Sequence, residues 1–480
     1  MSSHSIHYKA MKSRDKRFDG KFFVAVKTTG IYCRPICPAP SPKPENVKFY
    51  NTASGARKAG FRPCLRCHPE SAPNSYEWDG SPILLSRAMR LISEGFLDYG
   101  SVQDLADTLN ISPRHLRRLF TAHLGTNPIA VAQTRRLHLA KKLIHETSLP
   151  FSKISQSAGF PSLRAFNHIF KATFNKTPTQ LRKRAVAKAQ KHLTLYLAYR
   201  PPYAWSEILA HFRTRAIAGL ELVTADAYHR LVSIQGTVGE IAIFHVPNKA
   251  ALRLKVSTSL SPHLAEIVSR TRRMFDLEAD PMAINSTLSP DPRLAGSVNK
   301  HPGMRVAGAW DEFELAMRAI IGQQISLKGA VTMLGRLTAK FGEPNQNIEH
   351  EQLTTLFPQP DDLADADLSN IGLTGRRITV IRAIAHDLIT RGSWRTRYLD
   401  LDSAITALTA FSGIGPWTAH YIAMRTLDFP DAFPAGDLWL RQVYSDDAKN
   451  LISQKKLVQQ VEKFRPWRAY AAAHIWASLK

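Results

Sequence analysis

The chain has 480 residues, of which 44% are hydrophobic, and a formal net charge of +25 at pH 7. This composition excludes an intrinsically disordered chain, and no apolar run approaches the ~20 residues of a helix that spans a bilayer. The charge is uneven, because residues 1–190 hold 31 Lys and Arg against 11 Asp and Glu, whereas residues 191–480 hold 33 against 28. The basic front part predicts a polyanionic partner, most simply nucleic acid.

All cysteines of the chain lie in the pattern C-x3-C, 26 residues, C-x2-C: Cys33, Cys37, Cys64 and Cys67. Two close pairs separated by a folded insert are typical of a zinc site. The first residues, MSSHSIHYKAMKSRDKRF, lack the apolar core of a signal peptide, so we expect a cytoplasmic, nucleoid-associated protein. In that compartment two disulfides are the poorer interpretation. We predict one bound Zn²⁺, which is either purely structural or also activates a thiolate.

The sequence around these cysteines, FDGKFFVAVKTTGIYCRPIC and AGFRPCLRC, resembles the N-terminal domain of the Ada family of the alkylation response. The resemblance implies that Cys33 accepts a methyl group from a DNA methylphosphotriester while zinc holds its sulfur as a thiolate. Methylation removes one negative charge beside the DNA, so it is expected to strengthen binding to phosphates. We predict that Arg34 contacts the DNA strand.

Residues 74–80 are predicted to be a linker, and a duplicated segment follows it. Residues 112–128 and 162–178 match at an offset of 50, and each begins with a Ser that is expected to cap a short helix. The pair resembles the double helix-turn-helix of AraC-type regulators, whose two recognition helices enter successive major-groove turns about 34 Å apart. The alternative is a pair of basic surface helices that grip phosphates without reading sequence. The predicted DNA contacts are Arg114, Arg117, Arg118, Arg164, Asn167 and His168.

The second half mixes strand-like runs with an amphipathic helix up to about residue 280, and helical patterns dominate from residue 281. Its most informative stretch is FSGIGPWTAHYIAMRTLDFPDAFPAGD, residues 411–437. Gly413 and Gly415 allow backbone amides to approach a phosphate at the start of a helix. Trp417 and Tyr421 lie four residues apart on one face of that helix, and a Pro/Gly loop ends at Asp437. An ordinary helical turn with Asp437 as a solvated cap is the alternative.

The G-I-G-x-W-T-A turn, the loop before Asp437 and the ending PWRAYAAAHIW resemble the helix-hairpin-helix DNA glycosylases of the AlkA type. The resemblance implies that Asp437 stabilises an oxocarbenium-like sugar and activates water while an alkylated purine, such as 3-methyladenine or 7-methylguanine, leaves. It implies a base pocket lined by Trp417, Tyr421, Trp476 and Leu438, where the aromatic rings could attract a cationic base. It also implies DNA contacts at Gly413, Gly415, Thr418 and Gln324, and it allows a monovalent cation at the hairpin turn.

Some departures from related enzymes limit the reactions and the substrates that we expect of this protein. Trp417 stands where bifunctional relatives carry the Schiff-base Lys, so we expect base removal without strand cleavage. No cysteine follows Cys67, so we expect neither a C-terminal iron–sulfur cluster nor the repair of O6-methylguanine. Leu438 replaces the usual aromatic after the catalytic Asp, and His211 replaces an expected apolar aromatic, so a different range of substrates is expected.

The predicted fold is multidomain and mainly α. Its parts are a small zinc-bound α/β domain (1–75), a double helix-turn-helix (82–186), an α+β domain (192–280) and an all-α helix-hairpin-helix catalytic domain (281–480). The predicted function couples sensing of methylphosphotriesters and transcription activation to base excision repair. The alternatives are a regulator whose glycosylase half only binds DNA, and an enzyme whose basic front half is a non-specific tether. Expected partners are damaged and promoter double-stranded DNA and RNA polymerase, with no membrane, and the protein is expected to be a monomer.

Overall fold

The computed structural model describes residues 3–15, 18–67, 69, 83–182, 191–345, 350–398, 400–445 and 450–478. The predicted linker at 74–80 and the predicted domain ends at 75, 82 and 186 lie outside these residues. The chain forms two compact units. The first consists of Met1–Pro201, Val246–Ser269 and Leu277–Ala279, and the second of Pro202–His245, Arg270–Asp276 and Asp280–Lys480. Among the described helices, none combines the length and the hydropathy that crossing a bilayer requires.

A small mixed sheet forms the N-terminal part of the first unit. Its elements are α1 (Ser3–Lys12), β1 (Phe23–Val26), β2 (Ile31–Cys33), β3 (Val47–Tyr50), α2 (Ala53–Lys58) and β4 (Arg62–Pro63). The strand order is β3-β1-β2-β4, in which β2 and β4 run parallel and the other neighbours run antiparallel. Successive residues of β1 face opposite sides of the sheet. Val24 therefore packs with α1 residues such as Met11, and Ala25 packs with Ala56 of α2.

A run of helices completes most of the first unit: α3 (Ile83–Ser93), α4 (Phe96–Tyr99), α5 (Val102–Thr108), α6 (Pro113–Leu124), α7 (Pro128–Glu146), α8 (Phe151–Ser157), α9 (Leu163–Phe174) and α10 (Pro178–Leu181). The pairs α5–α6 and α8–α9 are the two copies of the predicted repeat. Ser112 accepts a hydrogen bond from the N–H of His115 (3.2 Å), and Ser162 accepts one from Ala165 (3.1 Å). Both predicted caps are present, and each fixes where its recognition helix begins.

The next segment combines strands and helices, as expected for an α+β domain: β5 (His192–Ala198), α11 (Trp205–Arg213), β6 (Glu221–Val223), β7 (Ala227–Ile234), β8 (Thr237–Val246), β9 (Ala251–Ser257) and α12 (Leu264–Met274). In the first unit β5 pairs antiparallel with β9 along its whole length. In the second unit β6, β7 and β8 form an antiparallel meander.

From residue 281 the second unit is helical, as predicted. Its helices are α13 (Pro281–Leu288), α14 (Pro292–Lys300), α15 (Glu312–Ile321), α16 (Leu327–Phe341), α17 (Pro360–Leu363), α18 (Gly375–Arg391), α19 (Trp394–Arg397), α20 (Leu401–Thr409), α21 (Pro416–Arg425), α22 (Leu438–Val443), α23 (Gln454–Val461) and α24 (Arg468–Ser478). Helix α15 is central, since eight of its ten residues are buried. Helix α21 of the α20–α21 hairpin packs against α15, which also packs against α18, so this core fixes the position of the hairpin turn.

Candidate functional site

The parallel pairing of β2 with β4 brings the four cysteines together. Cys33 ends β2 and Cys64 follows β4, where its N–H donates to the carbonyl of Tyr32 (2.9 Å). The four sulfur atoms lie within 4.8 Å of one another, and all four thiols are free of disulfides. Four thiolates at this spacing suit tetrahedral Zn²⁺ coordination, and the disulfide interpretation is wrong.

The four sulfurs differ in the hydrogen bonds they accept. Cys67 Sγ accepts from the N–H of Arg34 (3.3 Å), Cys64 Sγ accepts from that of Arg66 (3.3 Å), and Cys37 also accepts from a backbone N–H. Within the described ranges, no backbone N–H bonds to Cys33 Sγ. Because hydrogen bonds draw electron density from a thiolate, this difference favours the partly exposed Cys33 as the candidate nucleophile.

Arg34 does not lie where the sequence analysis put it. The side chain is buried, and its guanidinium donates to both carboxylate oxygens of buried Asp19 and to the carbonyl of Cys67 (3.3 Å). This ion pair braces the loops that carry the cysteines and contradicts the prediction that Arg34 contacts DNA. Nothing local in the sequence marks Asp19 as its partner, because 15 residues separate the two.

The two recognition helices present equivalent surfaces. On α6, Leu116 and Phe120 are fully buried, and on α9 the same holds for Phe166 and Phe170. The basic or polar side chains predicted to reach DNA all lie on the opposite, exposed faces: Arg114, Arg117, Arg118, Arg164, Asn167 and His168. Their contacts with bases remain predictions.

In the second unit, Asp437 is the N-cap of the short helix α22. Its Oδ1 accepts from the N–H groups of Trp439 (3.1 Å) and Leu440 (3.2 Å). Two indole groups also bind it: Nε1 of Trp476 donates to Oδ1 (3.2 Å), and Nε1 of Trp417 donates to Oδ2 (3.0 Å). The carboxylate is therefore a cap, as the alternative interpretation held, and four donors also fix its orientation.

A cavity of about 630 Å³ opens beside this carboxylate, and Trp417, Tyr421, Trp476 and Asp437 all line it. The rings of Trp417 and Tyr421 stack, with centroids 5.1 Å apart and an angle of 11°, because they lie one turn apart on α21. The volume lies in the range of small-ligand pockets. The resemblance thus led to three aromatic residues that do converge on one cavity with Asp437.

Leu438 is not among the residues that line this cavity, although the sequence analysis placed it there. Its side chain is 56% exposed, while the next residue, Trp439, lines the cavity. Successive helical side chains point about 100° apart, so only one of the two can face inward. His211 lines the cavity as expected, and its Nε2 lies 3.4 Å from Nη1 of Arg425. Sequence reasoning missed Trp439 and Arg425.

The hairpin turn needs glycine at position 413. Gly413 has φ +105°, and a Cβ there would lie 2.6 Å from Val380 Cγ2 on α18. Gly415 is exposed and is the N-cap of α21, and no side chain of the described residues caps this helix. Free N–H groups at a helix N-terminus suit a phosphate oxygen. The DNA contacts of both glycines, and the monovalent cation at this turn, stay predictions.

The side chain of Thr418 is buried, so a contact with DNA could come only from its backbone N–H in the first turn of α21, and this contact stays a prediction. Its hydroxyl accepts from Gln323 Nε2 (3.0 Å), and the same amide donates to the carbonyl of Gly413 (3.1 Å). Thr418 and Gln323 therefore brace the hairpin from inside. Gln324 is exposed with φ +56°, so it remains available to DNA as predicted.

A buried ion network forms another wall of the cavity. Arg230 Nη2 lies 2.7 Å from Glu314, and Arg318 Nη2 lies 2.6 Å from Glu221 and 2.7 Å from Glu314. Burial alone would raise the pKa of Glu314, but Arg230 and Arg318 lower it to about 2. Two cations thus balance two anions, and the network contributes rigidity and no net charge.

Four family models match the chain in order. Their descriptions are the metal binding domain of Ada (residues 7–70), a helix-turn-helix domain (105–184), the AlkA N-terminal domain (194–311) and the HhH-GPD superfamily of base excision DNA repair proteins (317–466). The first supports Zn²⁺ at the four cysteines, and the second and fourth are DNA-binding types.

Similar proteins exist for the whole chain and for its parts. A Mycobacterium tuberculosis protein described as a probable bifunctional transcriptional activator/DNA repair enzyme AlkA is 39% identical over 482 residues, covering 98% of this chain and 96% of the relative. DNA-3-methyladenine glycosylase 2 of Escherichia coli K12 is 30% identical and covers 58% of this chain and 95% of its own. The E. coli K12 bifunctional transcriptional activator/DNA repair enzyme Ada is 39% identical over 36% of this chain and 48% of its own.

The second half of the chain also resembles a solved structure in its fold. A 3-methyladenine DNA glycosylase from Archaeoglobus fulgidus aligns with 58% of this chain and 96% of its own, with a TM-score of 0.51 and 20% identity. Together with the full-length match and the four domain types, this likeness confirms the predicted mainly α multidomain fold and the predicted fusion. The chain belongs to the family of bifunctional transcriptional activator/DNA repair enzymes of the AlkA type.

Proposed function

We propose that this protein removes alkylated purines such as 3-methyladenine and 7-methylguanine from duplex DNA by hydrolysing the N-glycosidic bond. The observation that carries the proposal is the carboxylate of Asp437, which Trp417 and Trp476 fix at the edge of the aromatic cavity. The name of the E. coli relative, DNA-3-methyladenine glycosylase 2, supports the same substrate class.

The proposed reaction starts when the damaged nucleotide leaves the helix and its base enters the cavity. The C1′–N bond then breaks, and its electron pair goes to the departing purine. The negative charge of Asp437 stabilises the positive charge that develops on the sugar. A water oxygen bonds to C1′ and gives its proton to the carboxylate. Since Trp417 offers no amine for a Schiff base, the strand is not cut.

The experiment compares the native protein with Asp437→Asn on methylated duplex DNA and measures released bases by chromatography. The amide keeps an oxygen that can accept hydrogen bonds but removes the charge, so we expect release to fall by about 10³-fold. Leu438→Asn is the matched control, because its exposed side chain does not line the cavity. Equal release by native protein and Asp437→Asn, or none from either, would refute the assignment. The second result would leave the regulator that only binds DNA.

We further propose that Cys33 accepts a methyl group from methylphosphotriesters. Its sulfur attacks the methyl carbon, the C–O bond breaks, and the phosphate leaves as an ordinary diester anion. Zinc bound at this site would keep the sulfur a thiolate near neutral pH. The product is a neutral thioether that does not turn over, and the loss of one negative charge would strengthen promoter binding by the exposed residues of α6 and α9.

Mass spectrometry of peptides after exposure to methylphosphotriester DNA tests this assignment. We expect one added methyl group on Cys33 and none on Cys64 or Cys67, which are buried and accept backbone hydrogen bonds. A promoter footprint before and after methylation then tests the switch. Unchanged affinity would favour a non-specific tether. We also propose that the protein acts as a cytoplasmic monomer and recruits RNA polymerase, which sedimentation and transcription assays can test.

A further inference from the structure

Arg425 stands out among the charged residues of the cavity. It ends α21 one turn after Tyr421, its side chain is buried, and its Nη1 donates to the carbonyl of Ala307. Nε2 of His211 lies 3.4 Å from the same Nη1. Among the described residues no carboxylate lies within salt-bridge distance of Arg425. In the ion network of Glu314 and Arg318, by contrast, each cation has an anion.

This guanidinium already lies over two of the aromatic rings that a cationic base could use. Its Cζ lies 4.8 Å from the ring centroid of Tyr421 and 5.6 Å from that of Trp476. Trp417 also stacks on the ring of Tyr421. Cation–π attraction in this part of the cavity is therefore satisfied internally.

The field that Arg425 creates is visible at its neighbour. Burial would raise the pKa of the Tyr421 hydroxyl, yet Arg425 and Arg215 together lower it below the usual tyrosine value. Positive charge thus prevails on this side of the cavity. A purine that carries a positive charge meets like-charge repulsion there, whereas a neutral purine can offer its ring nitrogens or carbonyl oxygens as acceptors.

We propose that Arg425 is a specificity-determining residue that biases the cavity against cationic purines and towards neutral purines with acceptor atoms. The proposal rests on the proposed glycosylase function. It reverses the expectation that the aromatic rings attract a cationic base. Preference for alkylated purines in DNA then comes from their weakened glycosidic bond, and Arg425 extends the reach of the enzyme to neutral lesions whose bond is stronger. Such a purine departs with a negative charge, which a nearby guanidinium stabilises.

The test measures kcat/KM for two purines of similar size in the same duplex: 7-methylguanine, cationic at pH 6, and hypoxanthine, which is neutral. We expect Arg425→Met to raise the ratio of the first to the second by about tenfold, and Arg425→Lys to keep it within about twofold of the native value. Arg213→Met, an exposed residue of α11 outside the cavity, is the matched control. Because the ratio compares two substrates on one protein sample, partial unfolding cancels.

A binding measurement separates this proposal from the proposed function. Quenching of tryptophan fluorescence reports binding of the free bases 7,9-dimethylguaninium, a cation at pH 6, and 9-methylguanine, its neutral counterpart. We expect Arg425→Met to shift affinity towards the cation by about tenfold, even if the native protein released no base from DNA. An unchanged affinity ratio in Arg425→Met, or the same shift in Arg425→Lys, would overturn the role of the charge.

Discussion

Two tryptophans hold Asp437, and they come from distant parts of the sequence. Trp417 lies 20 residues before it and Trp476 lies 39 residues after it. Each indole contributes one N–H and one hydrophobic ring, so the same residues orient the carboxylate and shape the cavity. A positioning role can therefore be separated from a packing role by removing the N–H alone.

We expect Trp476→Phe to lower kcat for base release by about tenfold to hundredfold, because Asp437 loses a donor while an aromatic ring remains. KM is expected to change little. The measurement is single-turnover release from DNA that carries one 7-methylguanine. Trp205→Phe, in α11 and outside the cavity, is the control and should behave like the native protein. A rise in KM without a change in kcat would show that Trp476 only lines the cavity and does not position Asp437.

Buried His474 predicts a dependence of stability on pH. Burial, together with nearby His301, lowers its pKa from 6.5 to about 4. Below pH 6.5 the unfolded chain therefore binds a proton that the folded chain refuses, so stability falls as the pH drops from 6.5 towards 4. This one residue accounts for about 2 kcal/mol between pH 7 and pH 5.

Urea unfolding at both pH values, for the native protein and His474→Gln, measures that contribution. The variant is expected to be less stable at pH 7 but to lose about 2 kcal/mol less on acidification. An identical acid loss in both proteins would contradict the assignment to His474.

At the scale of elements, helix α7 connects the two helix-turn-helix copies and also contacts the cysteine domain. Buried Lys141 donates from Nζ to the carbonyl of Cys64 (2.9 Å), and His138 Nε2 lies 2.9 Å from the hydroxyl of Tyr32, the neighbour of Cys33. Both contacts reach residues at or next to cysteine ligands. The helix that connects the two helix-turn-helix copies is thus tied directly to the four-cysteine site.

We expect Lys141→Met to speed the loss of zinc to a chelator by about tenfold, because the loop of Cys64 loses its hydrogen-bond donor. Methionine preserves much of the buried volume, so the fold should persist. Zinc release is followed with a colorimetric chelator, and Lys153→Met, exposed on α8, is the control. Equal rates in all three proteins would show that the contact does not support the site.

The sequence predicted the helices and strands better than it predicted which side chains are buried. The Ser caps and the matching buried Phe120 and Phe170 of α6 and α9 depend on local spacing, so the duplication was readable. Arg34 and Thr418 were both expected to contact DNA, yet the structure buries both side chains. Their partners, Asp19 and Gln323, are 15 and 95 residues away, and no local pattern encodes such contacts. Arg425 was missed because a lone Arg at the end of a helix is usually solvated.

At the scale of the whole molecule, the strand pair β5–β9 belongs to the first compact unit although the AlkA-type similarity begins at residue 194. The backbone N–H of Tyr196 in β5 donates to Glu146 at the end of α7 (3.1 Å), and Ser157 of α8 donates to the carbonyl of Ser261. Strand β5 and the segment that follows β9 are therefore held by specific contacts with helices of the first unit.

We expect a fragment of residues 191–480 to fold and to release alkylated purines at a rate within about twofold of the full chain, because β5 and β9 pair fully inside it. Its Tm should lie a few degrees lower, since the contacts of Tyr196 and Ser261 are lost. Calorimetry and base-release assays on the fragment and the full chain check both expectations. An unfolded fragment would show that the first unit is required for the enzyme.

The hydrogen bond from Lys141 to the carbonyl of Cys64 has a consequence for how the protein responds to zinc supply. No cysteine follows Cys67, so nothing in the described second unit resembles the four-cysteine site. When zinc is scarce, the N-terminal sheet and α7 would lose stability together. The spacing of the two helix-turn-helix copies, which α7 connects, would then be less fixed. Base excision would continue. Under the proposed function, zinc depletion would therefore impair regulation by the first unit and leave base removal by the second unit unchanged.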